Sequence, residues 1–414
     1  MSDLTIPTAE QRNILDFFYQ SFRNDLSLFA DRRELLQSRL GDRDPLNILD
    51  LDGSPMFRDY DVVDNHGKKL GVVRSSSRGA ELPLIDSIMI GKLMFEPASA
   101  RDSALEQAGI DYPGGTFKFQ SFVCYGYPRV GLQIEVKKAD GETVQVIYDA
   151  HRPRRVKEFT GDDIIPNEGE EAGEEAGEAI EGEPFYSISA NLPEAGLEPT
   201  FLKDWTSAIN FVNRTHGLDF KDSSVLANNF SRHFADAASI AEDRFAEPPE
   251  LPAMSGLTIP IKLIGQDTPV YCAVATGKMI LERIGIRGVS QAEIAEAFRT
   301  GKRGTTNPKM IRGLKELTQS KWKASFATSP SLKEVMDMLE TFAPGKSGIP
   351  GHARLIRGWR QYVHLDPETG APLLNNSFYL INDPYPTGAG QYVLEAVQKP
   401  VDNFYRNVIK MQPQ

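Results

Sequence analysis

Cysteine is nearly absent: the 414 residues contain two, Cys124 and Cys272. Two thiols cannot form a disulfide framework, so the chain is expected to fold on its own core in a reducing, cytoplasmic setting. Long apolar runs are missing too. None approaches the roughly 18 residues that cross a bilayer, and MSDLTIPTAEQ has no basic stretch leading into an apolar one, so no membrane partner and no secretion signal are expected. A basic surplus is lacking as well: 46 Lys and Arg stand against 57 Asp and Glu, which excludes a broad cationic face for nucleic acid. Of the six histidines, none has a second ligand at metal-binding spacing. No metal and no other cofactor is expected.

The charge that is present is concentrated. Residues 161 to 183 carry Asp162, Asp163 and eight glutamates without one Lys or Arg, and the other residues are together close to neutral. A Glu/Gly/Ala run of this kind has little to bury and repels itself, as a solvated tether does. It suggests four parts: an N-terminal α+β accessory or pro-domain (1–165), an acidic linker (166–184), a helical connecting segment (185–252) and a C-terminal domain (253–414). The Pro-rich 247–252 closes the third part.

In the first part, Ile14, Leu15, Phe18, Phe22, Leu26 and Phe29 recur at helical spacing and predict a helix over 8–40. Residues 60–74 then read as a hairpin around Asn65-His66-Gly67. Further strands are expected at 84–91, 117–127, 131–138 and 143–150, with a short helix at 100–110. Cys124 falls inside a strand pattern and reads as a packing residue. No catalytic constellation is visible in this half. Helices are expected at 200–213 and 223–246, and His216 and His233 there read as structural or surface residues.

The C-terminal part opens on the stretch 265–285, where Cys272 starts a helical pattern. Ala273, Gly277, Ile280, Leu281 and Ile284 share one face, and Gly285 is the expected stop. A thiol at a helix N-terminus feels the positive end of the backbone dipoles, which favours thiolate. Capping boxes at Ser290/Glu293 and Ser331/Glu334, and a cap at Asn307-Pro308, predict three more helices. Strands are expected at 352–363 and 377–386. The fold class is therefore α+β throughout, with helices and antiparallel strands segregated.

Thiol nucleophiles need an imidazole to hold and relay the proton, a group to orient that imidazole, and donors for the oxyanion. Each has a candidate here. His352 opens one strand, and Asp383 or its neighbour Asn382 ends the next, so a hairpin can bring them together. Gln266, six residues before the cysteine, is a candidate oxyanion donor beside the Cys272 backbone N–H. His364, in an Asp-Pro-Glu-Thr-Gly turn context, is a rival base of weaker standing.

Gln266 with Tyr271-Cys272-Ala273, the Ser290-Gln291 segment, Gly351-His352-Ala353 and Asn382-Asp383-Pro384-Tyr385 resemble the papain-like cysteine peptidases. The similar branch is that of the bacteriocin-leader-processing (double-glycine) peptidases, over residues 256–395. The resemblance implies a two-lobed fold with Cys272 facing His352 across a cleft, Asp383 as orienter and Gln266 as oxyanion donor. It implies a soluble thiol peptidase acting on a peptide or protein substrate. Two other readings stand beside it: a transglutaminase or acyltransferase with the same Cys-His-Asp set, and a non-catalytic peptide-binding protein. The N-terminal region is a candidate for intramolecular inhibition, as in a zymogen, or for recruitment of substrate.

Overall fold

The computed structural model describes residues 8–76, 85–93, 95–126, 129–151, 155–158, 185–186, 253–302, 304–328, 330–341, 343–349, 352–365, 372–397 and 407–414. The acidic stretch, the helices expected at 200–213 and 223–246, His216, His233 and the expected boundaries at 165 and 252 lie outside the described residues.

The chain opens with helix α1 (Thr8–Phe29). Leu15, Phe18, Phe22, Leu26 and Phe29 are buried, as their spacing predicts. The helix stops well before residue 40 because Asp31 takes a left-handed φ of 50°. Arg32 N–H then donates to Ser27 O and Asp31 N–H to Leu28 O, the bonding of a Schellman end with aspartate in the place usually held by glycine. A 3-10 turn (Arg33–Gln37) and the short strand β1 (Arg39–Leu40) follow.

The remaining N-terminal strands are β2 (Leu46–Leu49), β3 (Pro55–Val63), β4 (Lys69–Ser76) and β5 (Ile85–Gly91). After helix α2 (Pro97–Asp111) come β6 (Thr116–Gly126), β7 (Arg129–Lys137), β8 (Thr143–Asp149), β9 (Arg155–Glu158) and β10 (Phe185–Tyr186). The expected hairpin is present as β3 and β4, with Gly67 at φ +78° in its turn.

The C-terminal part begins with β11 (Ala253–Thr258), then helices α3 (Cys272–Arg283), α4 (Gln291–Ala297) and α5 (Asn307–Leu317). Strand β12 (Trp322–Thr328) precedes helix α6 (Leu332–Glu340). Strands β13 (Gly345–Ile349), β14 (His352–Leu365), β15 (Pro372–Asp383), β16 (Gln391–Ala396) and β17 (Asn407–Pro413) complete it. Both expected capping boxes close in both directions. The cap of α5 is Thr306 and not Asn307: the Thr306 hydroxyl accepts from Lys309 N–H, while Asn307 is buried and accepts from Lys346 Nζ at 2.6 Å. Helices and strands are less segregated than expected, since β12 lies between two helices and pairs with β17.

This is a mixed α/β architecture with a large, mainly antiparallel sheet and few helices. Hydrogen-bonded neighbours run β12–β17–β13–β14–β15–β16 and continue β5–β4–β3–β2–β6–β7–β8–β9. The joint is the antiparallel pair β16–β5, from Gln391 opposite Gly91 to Glu395 opposite Ser87. One hydrophobic cluster spans it, with Phe22 of α1 against Tyr362 (ring centroids 4.5 Å apart) and Phe378 (5.6 Å). Asp25 of α1 accepts from Arg360 Nε at 2.9 Å and from the Tyr362 hydroxyl at 2.8 Å, which satisfies a carboxylate that burial would otherwise penalise. The N-terminal half is thus sheet neighbour and core partner of the half that carries the thiol.

Candidate active site

Cys272 is the first residue of α3, with Tyr271 as its cap. The first turn of a helix has backbone N–H groups without intrahelical acceptors, so the sulfur sits where both donors and dipole favour negative charge. The helix ends as expected: Gly285 is at φ +93°, Gly285 N–H donates to Glu282 O, and Ile286 N–H to Leu281 O. Gly277 allows α3 to close on its neighbour, since a Cβ there would lie 2.6 Å from the Phe298 ring. One turn beyond the cysteine, the buried Thr276 hydroxyl donates to Ala353 O at 3.3 Å and ties α3 to the start of β14.

His352 is the first residue of β14 and Asp383 the last of β15. Antiparallel pairing puts these ends side by side, and His352 Nε2 lies 2.7 Å from Asp383 Oδ1, with both side chains buried. The same oxygen accepts from Tyr385 N–H at 3.0 Å. With Nε2 committed to the carboxylate, Nδ1 is the ring atom left to take a proton from a thiol. Burial opposes the imidazolium, but the charge and hydrogen bond of Asp383, with a smaller contribution from Cys272, outweigh it. His352 is held above the ordinary imidazole range.

Asn382 points to the other face of β15. Its Nδ2 donates to Ile261 O at 3.2 Å and approaches the Met279 sulfur, so Asp383 and not Asn382 reaches the imidazole. His364 lies near the far end of β14, on the order of 40 Å from His352 at the rise of an extended strand. Gln266 is fully buried, and its Nε2 donates one hydrogen to Thr268 O at 2.7 Å. Its backbone is fixed at both ends, by Gln266 N–H to Pro384 O and Gly388 N–H to Gln266 O, each 2.8 Å. The peptide groups flanking it are held by one carboxamide: Gln291 Nε2 donates to Gly265 O (2.8 Å) and Gln291 Oε1 accepts from Asp267 N–H (3.1 Å). Cys124, on β6, is buried in a different hydrophobic cluster from Cys272.

Two groups beside the site had not been expected. The His151 ring, just past β8, lies 5.9 Å from the His352 ring and packs on Tyr385, whose hydroxyl donates to His151 O at 3.2 Å. His151 N–H is anchored on Asp149, which also accepts from Arg129 at 3.1 Å and from the Tyr125 hydroxyl. A line of polar contacts therefore runs from the N-terminal sheet to the imidazole. The only sequence trace of Tyr385 was its place after Asp383-Pro384, and His151 had no periodic or spacing signal at all.

Among the described residues, no group of three His, Cys, Asp or Glu side chains could hold a metal ion, and no helix is long and apolar enough to cross a membrane. No family model matches the chain, and no curated protein does. Solved structures do match over part of it. One is the peptidase domain of Streptococcus ComA, a bi-functional ABC transporter involved in a quorum-sensing pathway: 17% identity, 37% of this chain, 100% of that one, TM-score 0.26. Another is a double-glycine-motif protease from an AMS/PCAT transporter, solved with its leader peptide: 13% identity, 38% of this chain, 94% of that one, TM-score 0.26. At such scores the reading of this site rests on its own geometry.

Proposed function

We propose that this chain is a cysteine peptidase that cleaves peptide bonds through a thioester on Cys272. The observation that carries the reading is the buried His352–Asp383 pair at 2.7 Å, with Cys272 at the start of the helix that Thr276 ties to the His352 strand. In this scheme His352 Nδ1 takes the thiol proton, and the sulfur attacks the substrate carbonyl. The oxyanion is met by the Cys272 backbone N–H and the second hydrogen of Gln266 Nε2. The C–N bond breaks as His352 protonates the leaving amine. Water, deprotonated by the same ring, then hydrolyses the thioester to free acid and thiol. Asp383 holds the tautomer and stabilises the imidazolium, and Tyr385 N–H holds Asp383.

The chain as a whole should label with iodoacetamide at Cys272 and cleave a mixed peptide library. Cys272→Ala and His352→Ala abolish cleavage while keeping the fold by circular dichroism. Undiminished cleavage by Cys272→Ala sinks the proposal. Transfer of the acyl group to an added amine, in preference to water, would move the reading to an acyltransferase with the same residues.

A further inference from the structure

The imidazole has a second neighbour besides the thiol: a cavity of about 490 Å³, within the usual size of ligand sites. His352 and Asp383 border it, Arg129, Asp149 and His151 of the N-terminal half wall it, and among the described residues Cys272 does not line it. Its floor is the face of the sheet that crosses the β16–β5 joint, with Gln391 directly opposite both Asp383 and Gly91.

Most charges around this cavity are already compensated. Arg74 grips both oxygens of Asp59, Arg354 binds Glu395 through two nitrogens, and Arg129 binds Asp149. Among the described residues that line it, the buried polar atoms without a partner include both ends of the fully buried Gln391 carboxamide, Asp383 Oδ2, His352 Nδ1 and Arg354 Nε; the Gln391 and Asp383 groups stand opposed across β16 and β15. Directly opposed residues in a sheet have Cβ atoms about 5 Å apart, so these groups form one patch. An ion satisfies only half of a carboxamide. A peptide group offers one N–H and one C=O side by side and satisfies both.

The position says which part of a peptide belongs there. His352 must deliver its proton to the leaving amine, so the leaving fragment departs along the imidazole. A cavity bordered by the imidazole and its carboxylate, but not by the thiol, lies past the ring from the proton-delivering Nδ1, where the chain that follows the leaving amine can continue. We propose that this cavity binds the segment of a peptide substrate that follows the scissile bond, with Gln391 pairing a backbone amide of that segment. The inference rests on the peptidase reading above, and it makes the N-terminal half a wall of the binding site.

The test uses the full chain and Gln391→Met, which keeps side-chain length and removes both polar atoms. For wild type and variant, kcat/KM is measured on a library-derived peptide and on the 4-nitroanilide of the same acyl part, which has no residue after the bond. The ratio of the two is expected to fall about tenfold in the variant, the loss of one good hydrogen-bonded contact. A second measurement does not need turnover: N-acetylglycine N-methylamide, a blocked residue with two peptide groups, is titrated into Cys272→Ala and into Cys272→Ala/Gln391→Met by thermal shift. Saturable stabilisation with Kd weakened about tenfold by the second substitution is expected. Cleavage with an unchanged ratio and equal Kd values overturns the cavity assignment and leaves the peptidase reading intact. No cleavage of any peptide, with Kd still weakened, overturns the peptidase reading and keeps the amide contact.

Discussion

Replacing Asp383 by asparagine isolates the charge at the centre of the site. Asn Oδ1 can accept both bonds that Asp383 Oδ1 accepts now, from His352 Nε2 at 2.7 Å and from Tyr385 N–H at 3.0 Å. Geometry is kept, and a charge-assisted hydrogen bond becomes a neutral one. Bonds to charged groups contribute about 1.5–3 kcal/mol and neutral ones about 0.5–1.5, so roughly 1–2 kcal/mol of support for the imidazolium is lost. That lowers the thiolate–imidazolium population about 5- to 30-fold. The assay is the second-order rate of Cys272 alkylation by iodoacetamide against pH, read by peptide mass so that the buried Cys124 does not contribute. In the variant the rate in mildly acid solution should fall by that factor, and the rise of the profile should move to higher pH. The two profiles should meet in alkali, where the thiolate forms without help. The folded His352 pKa is raised above its ordinary 6.5. Its contribution to stability is therefore complete below that value and lost as pH rises through the folded one, a limb that Asp383→Asn should flatten. Superimposable alkylation profiles would refute the role given to Asp383.

Phe22→Ala removes a fully buried ring from between Tyr362 and Phe378 and should cost about 3–5 kcal/mol. Because that core belongs to both halves, loss of peptide cleavage on heating should move to a correspondingly lower temperature; an unchanged inactivation temperature would contradict a shared core. Thr276→Val keeps the shape of α3 but leaves Ala353 O without its donor. About 1 kcal/mol of stability should go, with kcat reduced more than KM is raised, measured on any cleaved peptide. Gln291→Leu frees two backbone groups beside Gln266 and should destabilise by about 1–3 kcal/mol in urea titration. It should also slow both formation and hydrolysis of the thioester, since each passes through an oxyanion that Gln266 meets, and unchanged rates of both would argue against a positioning role.

Local chemistry made much of the C-terminal half legible. The α3 start at Cys272, its stop at Gly285 and the two capping boxes follow from side chains that satisfy backbone groups within a few residues, and such signals survive in any tertiary context. The His352–Asp383 contact was legible because two antiparallel strands fix where their ends meet. Asn307 resembles a cap because nothing local reveals Lys346, its partner 39 residues away. The end of α1 is hidden for a related reason, since an aspartate in the left-handed region carries no signal of the kind glycine gives. The β16–β5 joint and the placing of His151 were beyond reach. Each depends on pairings across long stretches of chain, and neither β5 nor β16 differs in pattern from a strand that ends its own sheet.

The joint between β5 and β16 also changes what a break in the covalent chain would do. A protease cutting anywhere in the acidic stretch between 161 and 183 severs one backbone bond and leaves every rung of that strand pair, the Phe22 packing and the Asp25 contacts in place. The two pieces would travel together through a sizing column and part only in denaturant. Nicking of this molecule would thus yield a two-chain protein whose halves hold each other as subunits do.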